Sequence, residues 1–352
     1  MCYIKNEHIV SYLEVKMNID YKLLEKLVNC ISPSGSEEIV RELIKEETKA
    51  FADEAYVDTL GNLIVHKKGK GKKVMLAAHM DEIGMMVTSI DDKGYIKICS
   101  LGWNNPISLA GGRAAFANGT EGVIHWNRSL ENHGNLTFED LFIDIGTTCK
   151  EDTERKIDIG DVCILKSDFY ENEKFVIGRN FDDRIGCYLL IEMLKQNIKT
   201  ELDVYYAFTV QEEVGCRGGK IAAFNIAPDV GIAVDVVSTG DYPIEKGYSK
   251  DLPVKLGSGP SVRIKDGKII SDKNLNEAII NIAKKNNIKY QVDILLNAGT
   301  DAASMQQTGS GAASTCINIP TRYIHSPNEM ISKRDIDETL KLLCAFLEEY
   351  NN

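Results

Sequence analysis

The 352-residue sequence predicts an α/β domain interrupted by a small β-rich one. Three observations carry that expectation. The run Val204-Tyr205-Tyr206-Ala207-Phe208-Thr209-Val210, rich in β-branched and aromatic residues, has the character of a strand buried on both faces of a parallel sheet. Segments of helical periodicity alternate with such runs before residue 84 and again after residue 174. Between those points the helical period gives way to short alternating stretches broken by glycines, among them Gly94, Gly102, Gly111, Gly112 and Gly160.

In chain order, residues 1–16 read as an extension, with Met17 an alternative start. A first helix begins near Tyr21 and turns Leu23, Leu24, Leu27 and Val28 inward. Ser34 and Glu37 have capping-box spacing and are expected to open a second helix. Extended runs at 55–58 and 62–66 lead through a basic, glycine-rich turn to a strand at 74–82 that ends in HxD. The polar piece 125–140, with His125 and His133, is expected to be an exposed loop. Asp182 and Asp183 precede a helix at 187–195, and the 202–210 strand then ends at Gln211-Glu212-Glu213-Val214-Gly215. A helix near 220–224, a strand at 230–236 containing Asp235, a loop-rich stretch at 248–267, a helix at 274–286 and strands at 291–296 and 313–319 follow. His325 lies just past the last strand, and a closing helix starts near Ser332 and buries Ile336, Leu340, Leu343, Phe346 and Leu347.

Composition excludes several classes. Forty-one basic against 52 acidic residues give a net charge of -11, the wrong sign for gripping a phosphate backbone. No apolar run approaches the roughly 20 residues of a membrane span. Lys5, Glu7, Glu14 and Lys16 interrupt the amino-terminal segment, so it lacks the apolar core of a signal peptide and the cytoplasm is the expected location. Nine dispersed cysteines without CxxC spacing are expected to be reduced thiols. Cys216 stands near the glutamate turn, but no histidine close in sequence recommends it as a nucleophile.

Chemistry concentrates at strand ends. His79 and Asp81 share a face of an extended chain, so the carboxylate can orient the imidazole. Asp182 and Asp183 fit either caps favoured by the helix dipole or a carboxylate spanning two cations. Glu212 and Glu213 are either solvated loop residues or a pair pointing opposite ways, one on a metal and one on a proton. Asp235, a charge in an apolar strand, needs a metal or a cationic partner, because an unpaired carboxylate there is costly. His79, Asp182, Glu213, Asp235 and His325 all fall where an open α/β sheet collects ligands. Two imidazoles and three carboxylates suit zinc, cobalt or manganese, and a shared carboxylate suits a pair of ions. Glu212 is left beside them as a general base.

The set HxDE at 79–82, DDRxG at 182–186, QEEVG at 211–215, AVD at 233–235, GTDA at 299–302 and PTRYIHSP at 320–327 resembles the M42 family of metallo-aminopeptidases. The resemblance runs from about residue 17 to the end of the chain and extends to relatives labelled glutamyl, leucyl or deblocking aminopeptidase, or endoglucanase. It implies a phosphorylase/hydrolase-like mixed-sheet catalytic domain at 17–83 and 175–352, with a dimerisation domain inserted at 84–174. Position by position, it implies that His79 and Asp235 hold one divalent ion, Glu213 and His325 a second, and that Asp182 bridges them. Asp81 would orient His79, and Glu212 would take a proton from the attacking water. Substrates would be peptides with a free amino terminus, and the assembly a homo-oligomer between a dimer and a tetrahedral dodecamer. The 125–140 loop departs from the family in being shorter and lacking a proline-rich turn. A glycoside hydrolase is the alternative enzyme, yet adjacent glutamates on diverging faces do not make its opposed carboxylate pair. A non-catalytic binding protein would have no reason to keep the whole set.

Overall fold

Four parallel strands, Asp203–Thr209, Lys73–His79, Val230–Ser238 and Ala313–Arg322, lie side by side in that order at the centre of the protein. This computed structural model describes residues 19–127, 133–243 and 252–350. The expected extension at 1–16, the alternative start at Met17, and positions 128–132 and 248–251 of the expected loops lie outside them. Antiparallel strands Leu63–Lys67 and Glu54–Val57 extend the sheet on one side, and Glu329–Ser332, Phe175–Gly178 and Tyr170–Glu171 on the other. Ser261–Lys265 and Gln291–Ile294 branch from Ala313–Arg322. The sheet is therefore mixed, with a parallel heart.

Alternation along the strands feeds two apolar layers, as the period of two requires. On Lys73–His79, Val74, Leu76 and Ala78 join the larger cluster, which takes in the helices Tyr21–Asn29, Phe181–Lys195 and Lys333–Glu349. Met75 and Ala77 face the other way, onto Ala222, Ala223, Ala302 and Met305 from the helices Arg217–Ile226 and Asp301–Gln307. Phe181–Lys195 is buried along nearly its whole length, more deeply than the stripe of Tyr188, Leu189 and Met193 suggests.

Gly84–Ile90, Ile96–Leu101, Leu141–Asp144, Glu121–Trp126, Arg113–Phe116 and Val162–Leu165 close into a barrel. Its own core includes Met85, Ile96, Phe116, Leu141 and Cys163. The next strand, Tyr170–Glu171, already belongs to the large sheet. No helix among the described residues is long and apolar enough to cross a membrane.

Several local expectations are corrected. Ser34 does not cap the helix Glu38–Thr48, because its hydroxyl is taken by Asp81. His125 lies in the strand Glu121–Trp126, stacked on Trp126, and not in a loop. The loop-rich stretch at 248–267 contains the strand Ser261–Lys265.

Candidate active site

The carboxyl-terminal ends of the four central strands bring every expected residue to one place. His79 ends its strand, Asp235 lies within Val230–Ser238, Glu212 and Glu213 follow Asp203–Thr209, and His325 follows Ala313–Arg322. Asp182 arrives from the start of Phe181–Lys195, and its peptide bond to Asp183 is cis. Asp182 stands between the two imidazoles. Its Oδ1 is 3.0 Å from His79 Nε2 and its Oδ2 is 3.1 Å from His325 Nε2. Ligand atoms of His79, Asp182 and Glu213 lie within 4.8 Å of one another, as do those of His79, Asp183 and Asp235. Asp235 has no lysine or arginine ion pair among the described residues, and its Oδ1 accepts only the Val236 amide at 2.6 Å. Several non-glycine residues around this edge hold left-handed backbone, including Asn180, Gln211, Cys216, Tyr323 and His325, and such conformations gather at functional sites.

Asp81 supports more than the imidazole. His79 Nδ1 is 3.1 Å from the Asp81 carbonyl oxygen and 3.5 Å from its carboxylate. The carboxylate accepts the Glu212 amide at 2.9 Å, the Glu213 amide at 3.2 Å and the Ser34 hydroxyl at 2.6 Å, which fixes the glutamate turn. Glu37 does the same one residue earlier, accepting the Gln211 amide at 3.2 Å. Two further acids escape sequence reasoning. Buried Glu329 accepts the amides of both Asp182 and His325, at 3.1 and 2.9 Å. Buried Glu82 pairs with Arg179 and Arg184 and accepts from Asn180. Its place in HxDE was the only signal.

The electrostatics are those of crowded acids. Burial pushes Asp235 up to about 7, Asp182 adding to it, and raises Asp183, with Asp235 adding to it. Burial likewise raises Glu213 and lifts Glu212 well above the usual carboxylate range. Burial also opposes charge on His79, but Asp182 and Asp81 outweigh it and hold that imidazole well above its ordinary value. Asp182 is lowered, because hydrogen bonds from His325 and His79 outweigh its burial. Glu213 Oε1 lies 3.2 Å from His325 Nε2 as an ion-pair contact and is otherwise without a hydrogen-bond partner among the described residues. Buried carboxylates this dense, with an orphaned oxygen and nitrogen donors beside it, fit divalent cations. A crevice lined by Asn104, Leu165, Asp182, Glu213 and His325 leads to the cluster from between barrel and sheet. Trp103 is exposed, ring centroid 6.0 Å from that of His325.

A mixed α/β sheet that gathers imidazoles and carboxylates on its carboxyl-terminal edge is an arrangement of hydrolases that work with divalent cations. The chain belongs to the M42 glutamyl aminopeptidase family, whose model matches residues 61–342, and it is a peptidase. A relative from Acetivibrio thermocellus that carries an aminopeptidase name is 44% identical over 323 residues, 92% of this chain and 97% of the relative. An aminopeptidase structure from the archaeon Desulfurococcus kamchatkensis matches with a TM-score of 0.89 at 35% identity, covering 93% of this chain and 94% of that one. The TET1 peptidase of Pyrococcus horikoshii, which can assemble into a tetrahedron or a large octahedral shell, matches at 0.83 and 33%, over 94% and 99% of the two chains.

Proposed function

We propose that this peptidase removes amino-terminal residues from peptides using two divalent ions, zinc, cobalt or manganese, and Glu212 as general base. The observation that carries the reading is Asp182, with one oxygen against each histidine. His79 and Asp235 would hold one ion and Glu213 and His325 the other, with Asp182 shared. When bound, the ions polarise the scissile carbonyl and ease loss of a proton from the attacking water. Glu212 accepts that proton on its carboxylate and returns it to the departing amine. Its environment suits the task, because burial and neighbouring acids raise its affinity for a proton while some surface stays exposed. Asp81 keeps the turn beneath Glu212 and Glu213 from shifting.

Residues 17–83 and 175–352 would form a phosphorylase/hydrolase-like catalytic unit, and 84–174 a dimerisation unit. The tetrahedron that the Pyrococcus relative can form supports a homo-oligomer between dimer and dodecamer. Free thiols at every described cysteine support a reducing, cytoplasmic location.

Metal-stripped protein given zinc, cobalt or manganese separately is expected to release residues from free amino termini in a peptide library and to spare amino-acetylated peptides. Internal cleavage of blocked peptides, or full activity under chelator, would sink the proposal. Glu329→Gln can accept the amides of Asp182 and His325 less well than a carboxylate. About 10- to 100-fold weaker metal retention is expected, measured by dialysis against a graded chelator.

A further inference from the structure

Cys216 lies where the 211–215 turn enters the helix Arg217–Ile226, at the amino-terminal cap and in left-handed backbone with φ of 53°. Its thiol donates to Glu212 Oε1 at 2.9 Å. Among the described residues no other donor reaches the Glu212 side chain. Burial, with the Glu212 charge adding to it, pushes the thiol far up, so the sulfur keeps its proton and serves as a donor. Behind it, Lys268 Nζ comes to 3.5 Å from the sulfur. The lysine is held in place. Its amide donates to Asp266 Oδ1 at 2.7 Å, and its stem crosses Gly299 so closely that a Cβ there would fall 2.4 Å from Lys268 Cδ.

We infer that Cys216, steadied by Lys268, is a positioning residue for peptide hydrolysis: it holds one oxygen of Glu212 and so aims the other at the proton it carries. The inference rests on Glu212 acting as the base. A glutamate side chain has several rotatable bonds, and losing its one donor spreads the carboxylate over rotamers that miss the reacting atoms. The loss falls on turnover, because among the described residues the thiol hydrogen-bonds to none of the expected metal-holding residues and is not part of the crevice lining.

Cys216→Ala is expected to lower kcat about five- to tenfold, with KM and bound metal unchanged. Cys216→Ser keeps a donor and restores most of the rate. Lys268→Met, at an accessible side chain, costs about twofold. In a Glu212→Gln background Cys216→Ala should add nothing, since the two act through one group. Three results each overturn the inference: unchanged kcat in Cys216→Ala, a Ser variant as slow as the Ala variant, or a rise in KM in step with a fall in melting temperature. If Glu212→Gln itself turns over normally, the base assignment fails and this inference with it. If Glu212→Gln is inactive and Cys216→Ala is intact, only the inference falls.

Discussion

Glu212→Gln is expected to lower kcat by about 10²- to 10⁴-fold while metal content and KM stay near those of the parent protein. The substitution preserves shape. An amide oxygen still receives the Cys216 thiol, and the Glu212 backbone amide still donates to Asp81, so the turn keeps its place. What disappears is the ability to take a proton and give it back. Neighbouring Glu213 does not substitute, because its carboxylate is directed to His325. Steady-state kinetics on an aminoacyl substrate, with metal analysis of the same preparation, decides the matter. A kcat within about threefold of the parent would remove Glu212 from the chemistry.

Arg184→Met is expected to cost about 3 to 5 kcal/mol of stability, read from the shift in a denaturant midpoint. The fully buried guanidinium donates to the carbonyls of Met80 and Leu27 at 2.7 and 2.6 Å and reaches those of Cys30 and Ser32 at 3.4 Å. Its Nη2 is also 3.4 Å from Glu82 Oε1. Methionine fills much of the volume but takes the Arg184 donors from the Met80, Leu27 and Ser32 carbonyls and leaves Glu82 with Arg179 as its one cationic partner among the described residues. Lysine is expected to rescue little, because one ammonium cannot reproduce the reach of the planar fork. A loss below about 1 kcal/mol would mean the carbonyls find other partners.

The catalytic edge was legible in the sequence because each central strand is an apolar run with chemistry at or near its carboxyl-terminal end: His79, Glu212 and Glu213 after Thr209, Asp235 inside its strand, and His325 after Arg322. Strand ends of that kind converge wherever the strands run parallel, and periodicity reveals the strands. What supports the edge was not legible. Ser34 and Glu37 have the spacing of a helix cap, and only distant Asp81 and Gln211 show that both side chains serve the glutamate turn. Glu329 and Arg184 have no periodic signature, since Asp182 lies 147 positions from the first and Leu27 lies 157 from the second. The same limit hid the closure of the barrel, whose strand order departs from sequence order. The helix Asp301–Gln307 escaped because seven residues carry too little periodicity to stand out.

The polypeptide departs for the barrel just past Glu82, and after the return hairpin Tyr170–Gly178 it reaches Arg179 and Asn180, both of which grasp Glu82. The outward and homeward passages are thus stapled at one spot beside the chemistry. Through that staple the far rim of the barrel is insulated. Segments there can be lengthened, shortened or exchanged between descendants of one ancestor while the reacting groups stay in register, whereas trimming at the root would pull both halves of the centre apart.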